Sequence, residues 1–214
     1  MLTLKREENL LSATIYVDLN FQVLGNILPA DHGYGLYAAL THWNPIIHDL
    51  EGLSIQTIAG IPDKQGKIYL TERSRFRIRL PHDQVPLVYG LAGKTLTIGK
   101  HTIRLGIPQI YLLQPASKLR SRLVVIKGYQ EPKIFLEAVQ RQLEKLRING
   151  IVAISTANSK PDRKTIKIKR FTVVGFGLEM SNLSDEDSLL LQEVGLGGKR
   201  RMGCGVFVPC QEGL

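Results

Sequence analysis

Cysteine is scarce in this 214-residue chain, which has Cys204 and Cys210 and no others. A cytosolic protein would keep both reduced. No C-x-x-C pair and no Cys/His cluster has zinc-ligand spacing, so no metal is expected. No apolar run approaches the length of a membrane span. Residues 1–9 carry two acids beside two bases and no apolar core, so no secretory signal is expected and the location reads as cytoplasmic. Nucleotide signatures are missing as well. The pattern G-x-x-x-x-G-K-[ST] is absent, and the one dense glycine run does not follow a strand as a dinucleotide fingerprint does. No cofactor is therefore expected.

What is present is apolar residue and positive charge. Hydrophobic residues make up 43% of the chain, enough for a sizeable core in one or two domains. Acids are the scarcer charge, 19 against 28 Lys and Arg, for a net charge of +9. A folded chain with that balance points to an anionic partner, most often nucleic acid. The excess is concentrated: residues 118–170 hold fourteen Lys and Arg against four Asp and Glu.

Periodicity then gives an order of elements. Residues 13–23 alternate as a strand. Asp31 is placed to cap a helix over 32–43, with Leu36, Tyr37 and Leu40 on one face, and Pro45 ends it. A second strand is expected at 53–59, a third over 67–70 and then 73–80, a short helix at 82–90 and a fourth strand at 96–105. That is β-α-β-β-α-β. Residues 106–116, with Pro108 and Pro115, read as a linker. The order then repeats: a strand at 119–127, an amphipathic helix at 132–147, a strand at 151–155, a polar turn at 158–164 and a long strand at 165–178. A helix follows through 193, opened by Ser184 with Asp187, and a closing strand at 204–208. The expected class is α+β, with two tandem ferredoxin-like, RRM-like domains over residues 1–110 and 117–214.

Two features carry charge in an ordered way. Arg73, Arg75, Arg77 and Arg79 fall on one face of a strand by period two. That face is either solvated and paired with acids of a neighbouring strand, or it meets nucleic-acid phosphates. Arg120 and Arg122 on the strand at 119–127 are further candidates. The second feature is the run Gly195-Leu196-Gly197-Gly198-Lys199-Arg200-Arg201-Met202-Gly203-Cys204-Gly205. Its glycines allow positive φ and close approach to a ligand, consecutive N–H groups in such a turn can cradle an anion, and three cations sit between. A plain basic turn before a last strand is the alternative.

The run fits G-h-G-x5-G-h-G with cations among the five, the hallmark of the RAMP superfamily. Within it the chain resembles the Cas6 family of CRISPR-associated endoribonucleases, over nearly its whole length. Residues 31–37, 119–127 and 189–195 look like the small Myxococcus-type (MYXAN) branch. The resemblance implies metal-independent cleavage of precursor CRISPR RNA within each repeat. The ribose 2′-OH attacks the scissile phosphate, and the products are a 2′,3′-cyclic phosphate and a 5′-OH. It also implies that the enzyme stays on the 3′ stem-loop of its product within a Cascade-type complex. The partners are then the repeat stem-loop and other Cas subunits, with no membrane. A non-catalytic RAMP subunit that only holds guide RNA is the alternative, and it needs no histidine.

Such chemistry requires a base for the 2′-OH, an acid for the leaving 5′-oxygen and a cation for the phosphorane. Histidine suits the first two roles. The chain has His32, His42, His48, His82 and His101. The family places its catalytic histidine in or near the first helix, which leaves His32 and His48, with His42 beside Trp43 read as packing or surface. A helix N-terminus lowers an imidazole pKa and keeps it neutral, which tips the choice to His32. Tyr34 or Tyr37 is expected to orient ribose or phosphate; core packing is the alternative for both and the favoured one for Tyr37. Cations come from Lys199, Arg200 and Arg201 or from the strand bearing Lys167, Lys169 and Arg170. With Lys160, Arg163 and Lys164 these form a basic surface expected to hold the hairpin's phosphates. The loop glycines Gly195, Gly197, Gly198, Gly203 and Gly205 are expected to clamp RNA backbone.

Overall fold

The computed structural model describes residues 14–210. The segment read as lacking a secretory signal, residues 1–9, lies outside the described residues. The N-terminal unit contains β1 (Tyr16–Leu24), β2 (Ile27–Pro29), α1 (Gly33–Trp43), β3 (Ser54–Gln56), β4 (Ile61–Pro62), β5 (Lys67–Tyr69), β6 (Arg75–Pro81), α2 (Val85–Tyr89), β7 (Thr95–Ile98), β8 (His101–Leu105) and β9 (Gln109–Leu112). Its main sheet runs β3-β6-β1-β8-β7. Val17, Leu19, Phe21 and Val23 of β1 point inward with Phe76 and Ile78 of β6, and Leu36 and Leu40 of α1 cover them. Period two therefore leaves Asp18, Asn20 and Gln22 facing away from that core.

The C-terminal unit contains β10 (Leu119–Val124), α3 (Pro132–Leu146), β11 (Ile151–Ile154), β12 (Thr156–Ala157), β13 (Lys160–Pro161), β14 (Arg163–Ile168), β15 (Phe171–Ser181), α4 (Asp185–Val194) and β16 (Val208–Pro209). Its sheet runs β11-β15-β10-β16, with β14 paired to β15. In both units the βαββαβ strands take the spatial order second, third, first, fourth, which makes each ferredoxin-like. Ser184 caps α4 by accepting from the Asp187 N–H at 3.1 Å, and Phe135, Val139 and Leu143 of α3 are buried on the sheet.

Several local expectations change. The strand expected at 96–105 is the hairpin β7–β8, turned by Gly99 at φ 62°. The linker contains β9, whose residues Gln109–Leu112 pair with Asn20–Val17 of β1. The long strand at 165–178 is two strands, because Lys169 (φ 55°) and Arg170 make a tight turn between β14 and β15. No glycine or asparagine marks that turn, so alternation read straight through it. The closing strand is β16 alone.

The two units are tied by specific contacts. Asp31 does not cap α1. Its Oδ2 accepts from the Lys167 N–H at 2.6 Å, across to β14. A Cβ on Gly33 would lie 2.3 Å from the Met202 carbonyl oxygen, so the start of α1 sits directly against the glycine run. Arg79 is 1% exposed and cannot belong to a phosphate-facing row. Its Nε and Nη2 donate to the Asp18 carboxylate at 2.7 and 2.9 Å. Its Nη1 donates to the carbonyls of Gln192 and Phe207, both at 2.8 Å. The acid needed by that arginine sits opposite it on β1, in register.

Candidate active site

Helix α1 ends at Asn44 because Pro45 cannot continue it. The Asn44 side chain accepts from the Ile46 N–H at 3.2 Å and opens a 3₁₀ turn, Pro45–His48. The chain reverses there, so His48 folds back beside the helix. The Tyr37 hydroxyl lies 2.8 Å from His48 Nδ1, and the two rings meet edge to face at 5.5 Å. Tyr37 is buried and His48 is exposed. The Nδ1–H tautomer donates to the tyrosine oxygen and leaves a lone pair on Nε2, the form a base needs.

Tyr37, the inner member of this pair, lines a cavity of about 260 Å³ between the units, together with Gly52, Leu53, Gly198, Lys199 and Arg201, among others. Arg201 reaches over to the N-terminal unit. It donates through Nη1 to the His48 carbonyl and through Nη2 to the Leu50 carbonyl, the latter at 2.6 Å. The glycine run thus holds the histidine-bearing turn in place. Arg200 is turned the other way. Its Nη1 donates to the carbonyls of Glu193 at 3.2 Å and Val194 at 2.6 Å, closing the C-terminal end of α4. Burial pushes its pKa down. Lys199 is exposed at the cavity edge.

The glycines themselves serve the fold. A Cβ on Gly205 would stand 2.0 Å from the Leu196 carbonyl oxygen, with φ at 67°. One on Gly197 would stand 2.4 Å from the Val125 carbonyl, so the run lies flat on the end of β10. The N–H groups of Gly195, Gly198, Gly203 and Gly205 donate to Leu191, Val125, Arg200 and Leu123 carbonyls, and that of Gly197 to Gln142 Oε1. These donors are spent within the protein, so the run is not the open anion cradle expected of it. Gly198 is the one of the five that stays exposed.

His32 is not a base. It is 2% exposed, its Nδ1 donates to the Pro29 carbonyl at 2.8 Å, and its Nε2 accepts from the Ile58 N–H at 2.9 Å. Neither nitrogen is free for substrate, because the start of α1 is packed under the glycine run. Burial lowers its pKa, the direction expected, but the same burial closes it off. Tyr34 is half-buried on the first turn of α1.

The basic surface is largely as expected in position. Lys160, Arg163, Lys167, Lys169 and Arg170 are exposed along β13, β14 and the turn. Lys164 is instead ion-paired with Asp162. Arg120 and Arg122 are exposed on β10, Arg120 standing opposite Glu179. Arg73 lies in the turn before β6, exposed, and Arg75 and Arg77 are half-buried. Arg75 donates to the Glu72 and Ser74 carbonyls at 2.6 and 2.9 Å. What sequence reasoning missed is the bond between Tyr37 and His48: Tyr37 packs in the core, and its hydroxyl also reaches a histidine brought back by Pro45.

Comparison with known proteins bears on the chain as a whole. A family model described as Cas6 Crispr matches residues 17–212. The CRISPR-associated endonuclease Cas6 of Myxococcus xanthus (strain DK1622) is 34% identical over 195 residues, covering 91% of this chain and 82% of that protein. A solved structure of a CRISPR associated protein Cas6 superposes with a TM-score of 0.63 at 13% identity, covering 92% of this chain and 99% of that one. The product of a Cas6-related gene from Pyrococcus furiosus superposes at 0.60 and 14% identity, over 94% of this chain and 100% of that one. At such identities the two structures speak for the fold.

Proposed function

This chain belongs to the Cas6 family of CRISPR-associated proteins, and from that membership we propose that it is an endoribonuclease that binds a CRISPR repeat stem-loop and cuts the precursor RNA without a metal. The observation that carries this reading is His48, exposed, fixed from one side by Tyr37, which lines the cavity, and from the other by Arg201. His48 Nε2 takes the proton of the 2′-OH beside the scissile phosphate. The 2′-oxygen attacks phosphorus, the bond to the 5′-oxygen breaks, and that oxygen takes a proton from solvent water. A 2′,3′-cyclic phosphate and a 5′-OH result. Lys199 offsets the charge gathered on the phosphorane. Lys160, Arg163, Lys167, Lys169 and Arg170 hold phosphates of the stem, whose A-form geometry is read by shape and backbone. The product stem-loop then stays bound as part of a Cascade-type complex, and the reaction runs in the cytoplasm.

The test is a labelled repeat hairpin in EDTA, with product ends resolved by phosphatase and kinase treatment. Cutting to a cyclic phosphate is the expected outcome. His48→Ala lowers the rate by about 10²- to 10⁴-fold, the usual worth of acid–base catalysis, with binding kept. His32→Ala, assayed where it remains folded, keeps cutting. Tight binding without a cut by the wild type would instead make the chain a guide-holding subunit.

A further inference from the structure

We infer that the groove between the end of β10 and the β14–β15 turn is a pocket for an unpaired nucleobase flanking the RNA stem, stacked on Phe171. The inference rests on the RNA-cutting reading and adds a subsite to it. The groove has a volume of about 400 Å³, within the roughly 300–1,000 Å³ of small-molecule sites. Ile126, Ile168, Phe171 and Val173 form its walls, and Lys127 and Lys199 stand among its lining residues. Phe171 is 60% exposed. A large aromatic ring left in water at a turn, beside other apolar side chains, marks a recognition surface. The Arg170 guanidinium lies 5.1 Å from its ring centroid, which helps hold the ring's position.

Charge decides what the occupant is. Among the described residues no acid lines the groove, and both charged residues that do are lysines. An apolar protein segment would use the walls and gain nothing from the lysines. A nucleotide uses both, with its flat base on Phe171 and its phosphates at Lys127 and Lys199. Lys199 also lines the cavity that holds Tyr37, the hydrogen-bond partner of His48. One lysine therefore joins a cavity lined by Arg200 and Arg201, whose charge suits a phosphate, and an apolar groove suited to a base. A base inside the stem cannot enter, because both its faces are covered, and a closing pair offers one face but is too wide to seat its base among the groove's walls. The occupant is thus an unpaired base close to the scissile phosphate.

The experiment uses a stem-loop RNA that the wild type cuts, with unpaired flanks. A 2′-deoxy sugar blocks the cut, and 2-aminopurine is placed at each unpaired position in turn. One position beside the scissile phosphate is expected to lose fluorescence on binding through stacking. Phe171→Ala abolishes that loss and weakens binding of the flanked RNA by about 5- to 100-fold, the range of one base–aromatic stack. Phe171→Trp retains both, and binding of the same stem without flanks is unchanged in either variant. Since Phe171 is exposed, these variants keep their fold, and Val173→Asp provides a second perturbation with the same expected loss. Cutting with no quenched position and unchanged affinity in both variants would overturn the pocket and leave the ribonuclease reading standing. Equal weakening on the flankless stem would also overturn it. A wild type that neither binds nor cuts any such RNA would bring down both.

Discussion

His32 and His48 differ by what surrounds them. Both nitrogens of His32 are occupied inside the protein, whereas among the described residues His48 has a side-chain partner at Nδ1 only. Burial holds the His32 pKa below its unfolded value of about 6.5. The unfolded chain then binds the proton more readily, so stability rises with pH through the window between the two values. The contribution is present in full above the unfolded pKa and is lost as pH falls through the folded one. Wild-type unfolding midpoints should drop on going from neutral to mildly acidic buffer, and His32→Ala should show a smaller drop. The variant should also lose roughly 2–5 kcal/mol at neutral pH, from a buried N–H and carbonyl left without partners and from the space vacated. Equal pH slopes for the two proteins would mean that another group sets the acid response. None of this was legible locally: a histidine after Asp31 at a helix start reads the same whether the helix start is open or covered. Covering it takes Met202, far along the chain.

Elements were easier to read than their junctions. The apolar stripes of α1 and α3, the alternation of β1 and the Ser184 cap all follow from local pattern. The β14–β15 turn did not, since Lys169 adopts φ 55° with no glycine or asparagine to signal it. The most consequential junction is the one between the 3₁₀ turn, Pro45–His48, and the glycine run. The run was legible as a motif, but its role was not, because Arg201 acts through two carbonyls of the other unit. Arg201 is a positioning residue: it fixes where His48 stands. Removing it should let that turn drift, and a misplacement of about 1 Å can cost on the order of 10²-fold in rate. Arg201→Ala should therefore slow single-turnover cutting by roughly 10- to 100-fold while the dissociation constant for the uncut hairpin changes much less. Were affinity and rate to fall together, Arg201 would be an RNA contact instead.

At the scale of the molecule, the question is why two similar units behave as one. The sequence repeats an element order without repeating residues, so nothing in either half announces how the halves dock. Period two put Arg79 on the right face of β6. What that face meets is set by Gln192 and Phe207, whose carbonyls lie on the other unit. With Asp18 these give one buried guanidinium two carboxylate oxygens and two carbonyls. The arrangement is costly to break from one side, since breaking a buried pair costs about 3–5 kcal/mol, and Asp18, 17% exposed, sets that figure as the upper end. Arg79→Ala should lower the stability of the protein by up to that amount in denaturant unfolding. It should also split the single transition expected of the wild type, because the strand pairs within each unit survive while a principal tie between them is gone. Asp18→Asn in the same background relieves the stranded charge and should recover part of the midpoint without restoring a single transition. If the Arg79→Ala protein instead unfolds in one step at the wild-type midpoint, the units are held by the other ties, from Asp31 to Lys167, from Gly33 to Met202 and from Arg201 to the 3₁₀ turn, and Arg79 is only a filler of the interface.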